Sequence, residues 1–173
     1  MAHQKEYETT IDLSQWSTTD DAEGERTPAP IELIPSRQAV DAAAARFIGI
    51  IQQKPPAYSA IKLDGQRAYD LARRGETVDI PARPVMIHAL EVLSYEWPTL
   101  TIRVTCGKGT YIRSLARDLG AAIGVGGMLT GLRRTRSGDH LVANARTLES
   151  LPHAMTQADL LDPPARPVAA ATP

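Results

Sequence analysis

Cysteine is nearly missing: Cys106 is the only one among the 173 residues. No internal disulfide can form, and no cysteine cluster can hold a metal. The four histidines, His3, His88, His140 and His153, are scattered without ligand spacing. No apolar run approaches the ~20 residues of a membrane span. The start of the chain lacks the basic segment and apolar stretch of a secretory signal. These absences predict a cytoplasmic protein with no membrane segment and no metal site. What is present is ordinary: 43% hydrophobic and 23% charged residues fit a globular domain long enough to bury a core.

Net charge is only −1, which argues against a strongly basic nucleic-acid binder. Its distribution says more. Residues 1–35 hold two basic and eight acidic side chains, a local charge of −6. Residues 103–136 hold seven basic (Arg103, Lys108, Arg113, Arg117, Arg133, Arg134, Arg136) and one acidic (Asp118), a local charge of +6. A basic region of this kind can recognise an anion locally.

Tyr7, Thr9, Ile11 and Leu13 alternate with Glu8, Thr10 and Asp12, the pattern of a half-buried strand. The polar stretch "SQWSTTDDAEGERTPAP" reads as a loop, with Asp20-Asp21 and Glu23-Glu25 solvated. Ser36 suits an N-cap, and Val40, Ala44, Phe47, Ile48 and Ile51 recur at helical spacing. In the next stretch, Tyr58 to Leu63 suggests a short strand, Asp64-Gly65 a turn, and Gln66 to Arg74 a short basic helix stopped by Gly75. Few large apolar side chains anchor it. Val85–Tyr95 and Leu100–Cys106 read as an antiparallel hairpin across "EWPT". A helix follows through Ile112, Leu115, Ala116 and Leu119, with Gly120 as its stop. "GVGGMLTG" then reads as a flexible turn, "LRRTRSG" as a basic strand, Thr147–Leu151 as the start of a last helix, and "PPARPVAAATP" as a disordered tail. The mixture predicts an α+β fold: a mixed, largely antiparallel sheet with flanking helices.

"CGKGT" fails as a phosphate loop, because Gly109 rather than Ser or Thr follows Lys108. The dinucleotide fingerprint fails at Ile112. A tight strand-to-helix turn is the reading left by spacing. Arg113 and Arg117 share a helix flank at i and i+4. Arginines at alternate positions of the basic strand would share a face. Tyr58, Tyr69 and Tyr111 are interspersed. Arginine with tyrosine holds phosphates and stacks bases, which places RNA or nucleotide binding narrowly ahead of a solvated surface. An arginine in the first turn of a helix is disfavoured by the helix dipole, so Arg113 calls for an anionic partner.

"VTCGKGTYIRSLARDLG" closely resembles the arginine motif of the TruB family, which makes pseudouridine in the T-loop of transfer RNA. "KEYETTIDLSQWSTTDDAEG" resembles the strand and acidic loop that follow that family's catalytic motif. "PPAYSAIKLDGQRAYDLARRG" resembles its mobile thumb, and "LTGLRRTRSG" its late basic strand. The resemblance implies a partial catalytic domain over residues 1–152, with 54–83 as the thumb-like segment and 153–173 as a tail. It implies that Arg113 pairs with the catalytic aspartate, that Tyr7 stacks on the flipped uracil, and that Tyr111 and Leu132 contact the target nucleotide. Lys62, Lys108, Arg133, Arg134 and Arg136 become the candidate RNA-binding side chains. No metal or organic cofactor is implied, and the expected partner is tRNA.

The family's nucleophilic aspartate sits in a "GxLDPxAxG"-like stretch, which these 173 residues do not contain. Asp64 is no substitute, because its "LDG" lies in the thumb. The expectation is a chain inactive alone, with a separate chain as one possible source of the missing part. The alternative is a non-catalytic RNA-binding or tRNA-chaperone remnant.

Overall fold

The computed structural model describes residues 4–63, 66–74, 79–157 and 160. In chain order the elements are β1 (Lys5–Asp12), β2 (Gln15–Ser17), β3 (Arg26–Pro28), α1 (Arg37–Ala45), β4 (Gly49–Gln53), β5 (Lys62–Leu63), β6 (Gln66–Arg67) and α2 (Ala68–Arg73). There follow β7 (Arg83–Glu96), β8 (Thr99–Cys106), α3 (Ile112–Ile123), β9 (Met128–Ser137) and β10 (His140–Leu141). Six strands form one sheet in the order β10-β9-β1-β8-β7-β4, every neighbouring pair antiparallel. The α+β expectation holds. The chain divides into two units, Met1–Ala143 and Asn144–Pro173. In the second, Leu148–Ser150 forms a single 3-10 turn rather than the expected helix.

Alternation built the sheet as the sequence indicated. Thr9, Ile11 and Leu13 are buried, and so are Leu100, Ile102, Val104 and Cys106 along β8. The core is made by these side chains with Val40, Ala43 and Ala44 of α1, Ile87 of β7 and Ile112, Leu115, Ala116 and Leu119 of α3. Burial raises the Cys106 thiol above its ordinary pKa, so it packs as a small apolar group. Ser36 caps α1, its hydroxyl accepting from the Ala39 N–H at 3.2 Å.

Several elements differ from expectation. The first helix ends at Ala45, and Ile51 belongs to the edge strand β4. Ile48 is exposed rather than packed. Of Tyr58–Leu63 only Lys62–Leu63 is a strand; the Asp64-Gly65 turn, the Gly75 stop and the "PPARPVAAATP" tail lie outside the described residues. Helix α3 runs past Gly120 to Ile123 and is closed by Gly124, whose φ of 82° is the left-handed cap conformation. Gly120 is a contact point instead: a Cβ there would collide with the Gly126 carbonyl, and one on Gly126 would collide with the backbone of Gln15. The glycine-rich stretch is therefore a packed seam that brings α3 against the start of β9.

Candidate functional site

The site is built where α3 begins. Arg113 stands in its first turn, and its side chain is only 26% exposed. Its Nη1 donates to Asp21 Oδ2 at 2.8 Å and to the Thr19 carbonyl at 3.2 Å, and its Nη2 donates to the Tyr58 carbonyl at 2.9 Å. The anionic partner demanded by the dipole argument is Asp21, whose side chain is 17% exposed. Burial by itself would raise the Asp21 carboxyl. Hydrogen bonds from the Thr19 hydroxyl, the Glu23 N–H and Arg113 outweigh it and hold the group below the usual carboxylate range.

One turn along, Arg117 is a tie. Its Nη1 meets Asp20 Oδ2 at 2.7 Å, its Nε donates to Asp118 Oδ1 at 2.9 Å, and its Nη2 donates to the Lys54 carbonyl at 2.9 Å. Burial lifts the Asp20 and Asp118 carboxyls above their ordinary values, against the pull of Arg117. The polar surroundings of Asp20-Asp21 in sequence suggest solvation. Both side chains are instead inward-turned anchors for the two arginines, whereas Glu23 and Glu25 are exposed. Two acids in tandem and two arginines at i and i+4 were the available signal.

Tyr58, Ser59, Ala60, Tyr69, Tyr111 and Arg113 line a pocket of about 330 Å³. A second hollow of about 380 Å³ adjoins it, lined by Thr19, Glu23, Arg73 and shared side chains. Tyr58 and Tyr69 meet edge-to-face with ring centroids 6.5 Å apart, and the Arg73 guanidinium lies 4.4 Å from the Tyr69 centroid. Tyrosine faces beside a cation suit a planar base and its phosphate.

Of the predicted site residues, the structure brings Tyr111 and Arg113 together in this pocket. Tyr7 and Leu132 lie on β1 and β9. Tyr7 packs against the core; Leu132 is 50% exposed and stands opposite Thr9, which puts it diagonally beside Tyr7 on one face. Lys108 is exposed in the turn after β8, and the side chain of Lys62 lies outside the described residues. The strand arginines do not share a face as alternation suggested. A bulge at Thr135 sets Arg134 opposite Tyr7 but Arg136 opposite Glu6, and Arg133 stands opposite Glu8. Arg134 therefore falls on the Tyr7 face, whereas Arg133 and Arg136 fall on the face where Arg103 bonds Glu8 and Glu91. Sequence reasoning missed Gln53 and Arg83, which bond to the turn before α3. A lone glutamine and a lone arginine carry no pattern.

Among the described residues, no group of His, Cys, Asp and Glu could hold a metal ion, and no helix is long and apolar enough to cross a membrane.

The profile of the TruB family pseudouridylate synthase N-terminal domain matches residues 1–112. The chain belongs to the TruB family. The tRNA pseudouridylate synthase B C-terminal domain matches residues 113–171. The chain is 46% identical to a tRNA pseudouridine synthase B of Phocaeicola vulgatus over 91% of its own length and 67% of that protein's. It is 48% identical to one from Thermobifida fusca, over 98% of the chain and 59% of the relative. For one from Cupriavidus pinatubonensis the identity is 49%, over 85% and 47%. The chain thus spans about half to two thirds of the curated family members it matches. Among solved structures it resembles a chain of a Cbf5-Nop10-Gar1 complex, with a TM-score of 0.52 and 30% identity over 78% of this chain and 30% of that one. A chain of an H/ACA RNP bound to a substrate RNA containing 2'-deoxyuridine matches with a TM-score of 0.50 and 25% identity, over 78% and 28%.

Proposed function

We propose that this chain is the RNA-facing part of a tRNA pseudouridine synthase acting on a T-loop uridine in the cytoplasm. The observation that carries the reading is Arg113, a first-turn arginine at the wall of a tyrosine-lined pocket, in a chain of this family. The reaction is an isomerisation: the bond from ribose to a base nitrogen breaks, and one to a base carbon forms. No oxidant, reductant or co-substrate enters it. The base must leave its stack to react, so a site needs aromatic faces to receive it. Tyr7 is assigned to stack on the uracil, Tyr111 and Leu132 to hold the nucleotide, and Arg134 with Lys108 and Lys62 to hold the backbone. Arg133 and Arg136 extend the basic strand on its other face.

Arg113 is assigned to steady the nucleophilic aspartate, which these residues do not supply. Its Nη1 and Nη2 are engaged by Asp21, Thr19 and Tyr58, whereas its Nε–H makes no hydrogen bond among the described residues. That edge is therefore the one assigned to the second carboxylate.

The test is pseudouridine mapping on unmodified tRNA. The 173-residue chain alone should show no turnover, since no arginine replaces a nucleophile. The chain completed with a segment carrying the aspartate stretch should modify the T-loop uridine. Turnover by the chain alone overturns the assignment of an external nucleophile. RNA binding without turnover in the completed protein would favour a non-catalytic RNA-binding role.

A further inference from the structure

Tyr111 has a backbone that belongs to no ladder. It is the N-cap of α3, extended at φ −100° and ψ 113°, and it caps nothing with its side chain. Its carbonyl accepts the first helical bond from the Leu115 N–H at 3.1 Å. The rest of its peptide polarity is met by one side chain. Gln53 Oε1 accepts the Tyr111 N–H at 2.8 Å, and Gln53 Nε2 donates to the Tyr111 carbonyl at 3.1 Å.

Gln53 is fully buried at the end of the edge strand β4. A buried amide is costly unless both its ends are bonded. Both ends are spent on this one residue. The residue paired with Gln53 across the β4–β7 ladder is Arg83. Arg83 Nη2 donates to the Gly109 carbonyl at 2.8 Å, and its guanidinium lies 5.3 Å from the centroid of the Tyr111 ring. One cross-strand pair thus grips the whole turn: Gln53 takes the Tyr111 peptide, and Arg83 takes the Gly109 carbonyl and the Tyr111 ring.

We propose that Gln53 and Arg83 are positioning residues, which fix where the Tyr111 ring stands in the pocket and where the first turn of α3 presents Arg113. The proposal rests on the proposed function, in which Tyr111 and Arg113 face the target nucleotide. Neither Gln53 nor Arg83 lines the pocket, so neither is assigned to touch substrate.

The test has a local arm and a catalytic arm. In the 173-residue chain, Gln53→Met keeps length and loses both bonds. The Tyr111 amide should then exchange at least about tenfold faster, with the Val104 amide in the sheet centre unchanged. Gln53→Glu keeps an acceptor for that N–H but sets a second oxygen against the Tyr111 carbonyl, so it should restore protection only where the carboxyl is protonated and donates to that carbonyl. In the protein completed with the aspartate stretch, Gln53→Met and Arg83→Met should lower kcat by roughly ten- to a hundredfold with KM nearly unchanged, because misplacement costs rate rather than binding. Equal acceleration of the Tyr111 and Val104 amides would make Gln53 a packing residue and overturn the proposal. So would an unchanged Tyr111 amide, or an unchanged kcat in Arg83→Met, which alters a less buried side chain. Absence of turnover in the completed wild-type protein would overturn the functional reading instead, and the amide result would still decide whether Gln53 holds Tyr111.

Discussion

Arg117 Nη1 stands 2.7 Å from Asp20 Oδ2, and the same guanidinium holds the carbonyl of Lys54, where the thumb-like segment leaves the sheet. The two arginines on this flank of α3 therefore divide their work: Arg113 borders the pocket, and Arg117 joins helix, acidic loop and thumb root. Arg117→Ala leaves Asp20, 12% exposed, without its cation. The expected loss is on the order of 2 kcal/mol of unfolding free energy, between that of a surface pair and a fully buried one. Arg113→Ala and Arg113→Lys should instead abolish or nearly abolish turnover in the completed protein, since lysine lacks the planar fork. Urea unfolding and single-turnover kinetics on the same variants separate the two effects. A greater kinetic loss for Arg117 than for Arg113 would refute the division.

The bulge at Thr135 makes a prediction about the strand arginines. Arg134 shares the Tyr7 face, and Arg133 stands opposite Glu8. Arg134→Ala should weaken tRNA binding more than Arg133→Ala. It should also lower the salt slope by about 0.7–0.9 for each phosphate left without its cation. Titrations at several salt concentrations measure both quantities, and equal affinities would mean that the bulge does not sort these side chains.

Residues 54–83 are expected to close over RNA. Its described hydrogen bonds include Ala68 N–H to the Ile61 carbonyl at 2.8 Å and Tyr69 N–H to the Ser59 carbonyl at 3.1 Å. These bonds lie outside the large sheet, so both amides should exchange faster than the Val104 amide in free protein and slow when tRNA binds. Sheet-like protection without RNA would count against closure of this thumb-like segment.

Asp20 and Asp21 should respond to acid with opposite signs. The Asp21 carboxyl lies below its unfolded value, so its contribution is present above that value and is lost as pH falls through the folded one. The Asp20 carboxyl lies above its unfolded value, so its contribution is present below that value and is lost as pH rises through the folded one. Between about pH 6 and pH 3 the stability of wild type relative to Asp21→Asn should fall, and relative to Asp20→Asn should rise. Denaturant unfolding across that range checks both slopes.

The parts legible in sequence were those set by repeating local rules. Period-two alternation located β1 and β8, and a serine before a helical pattern located the cap of α1. Lone residues whose meaning depends on a distant partner were not legible. Gly120 read as a stop because glycine ends helices, yet its missing side chain makes room for the Gly126 carbonyl. Asp21 read as solvated because its neighbours are polar, and only the fold brings Arg113 to it across 92 positions. Gln53 lies 58 positions from the tyrosine it holds. The bulge at Thr135 broke the alternation rule that had grouped the arginines. The resemblance supplied roles for Tyr7 and Arg113 that spacing alone did not.

Strand β1 comes first in the chain but sits third in the sheet order, between β9 and β8. Lys5 must wait for Cys106 and then Ser137 before both its flanks are filled. On a ribosome adding ~5–20 residues per second, roughly ten seconds separate the synthesis of β1 from that of these partners. During it Tyr7 and Ile11 lack the β8 and β9 neighbours that flank them in the finished sheet. The strand order thus sets a sequence of events for the sheet: β1 can be closed on its two flanks only after β8 and then β9 have been made.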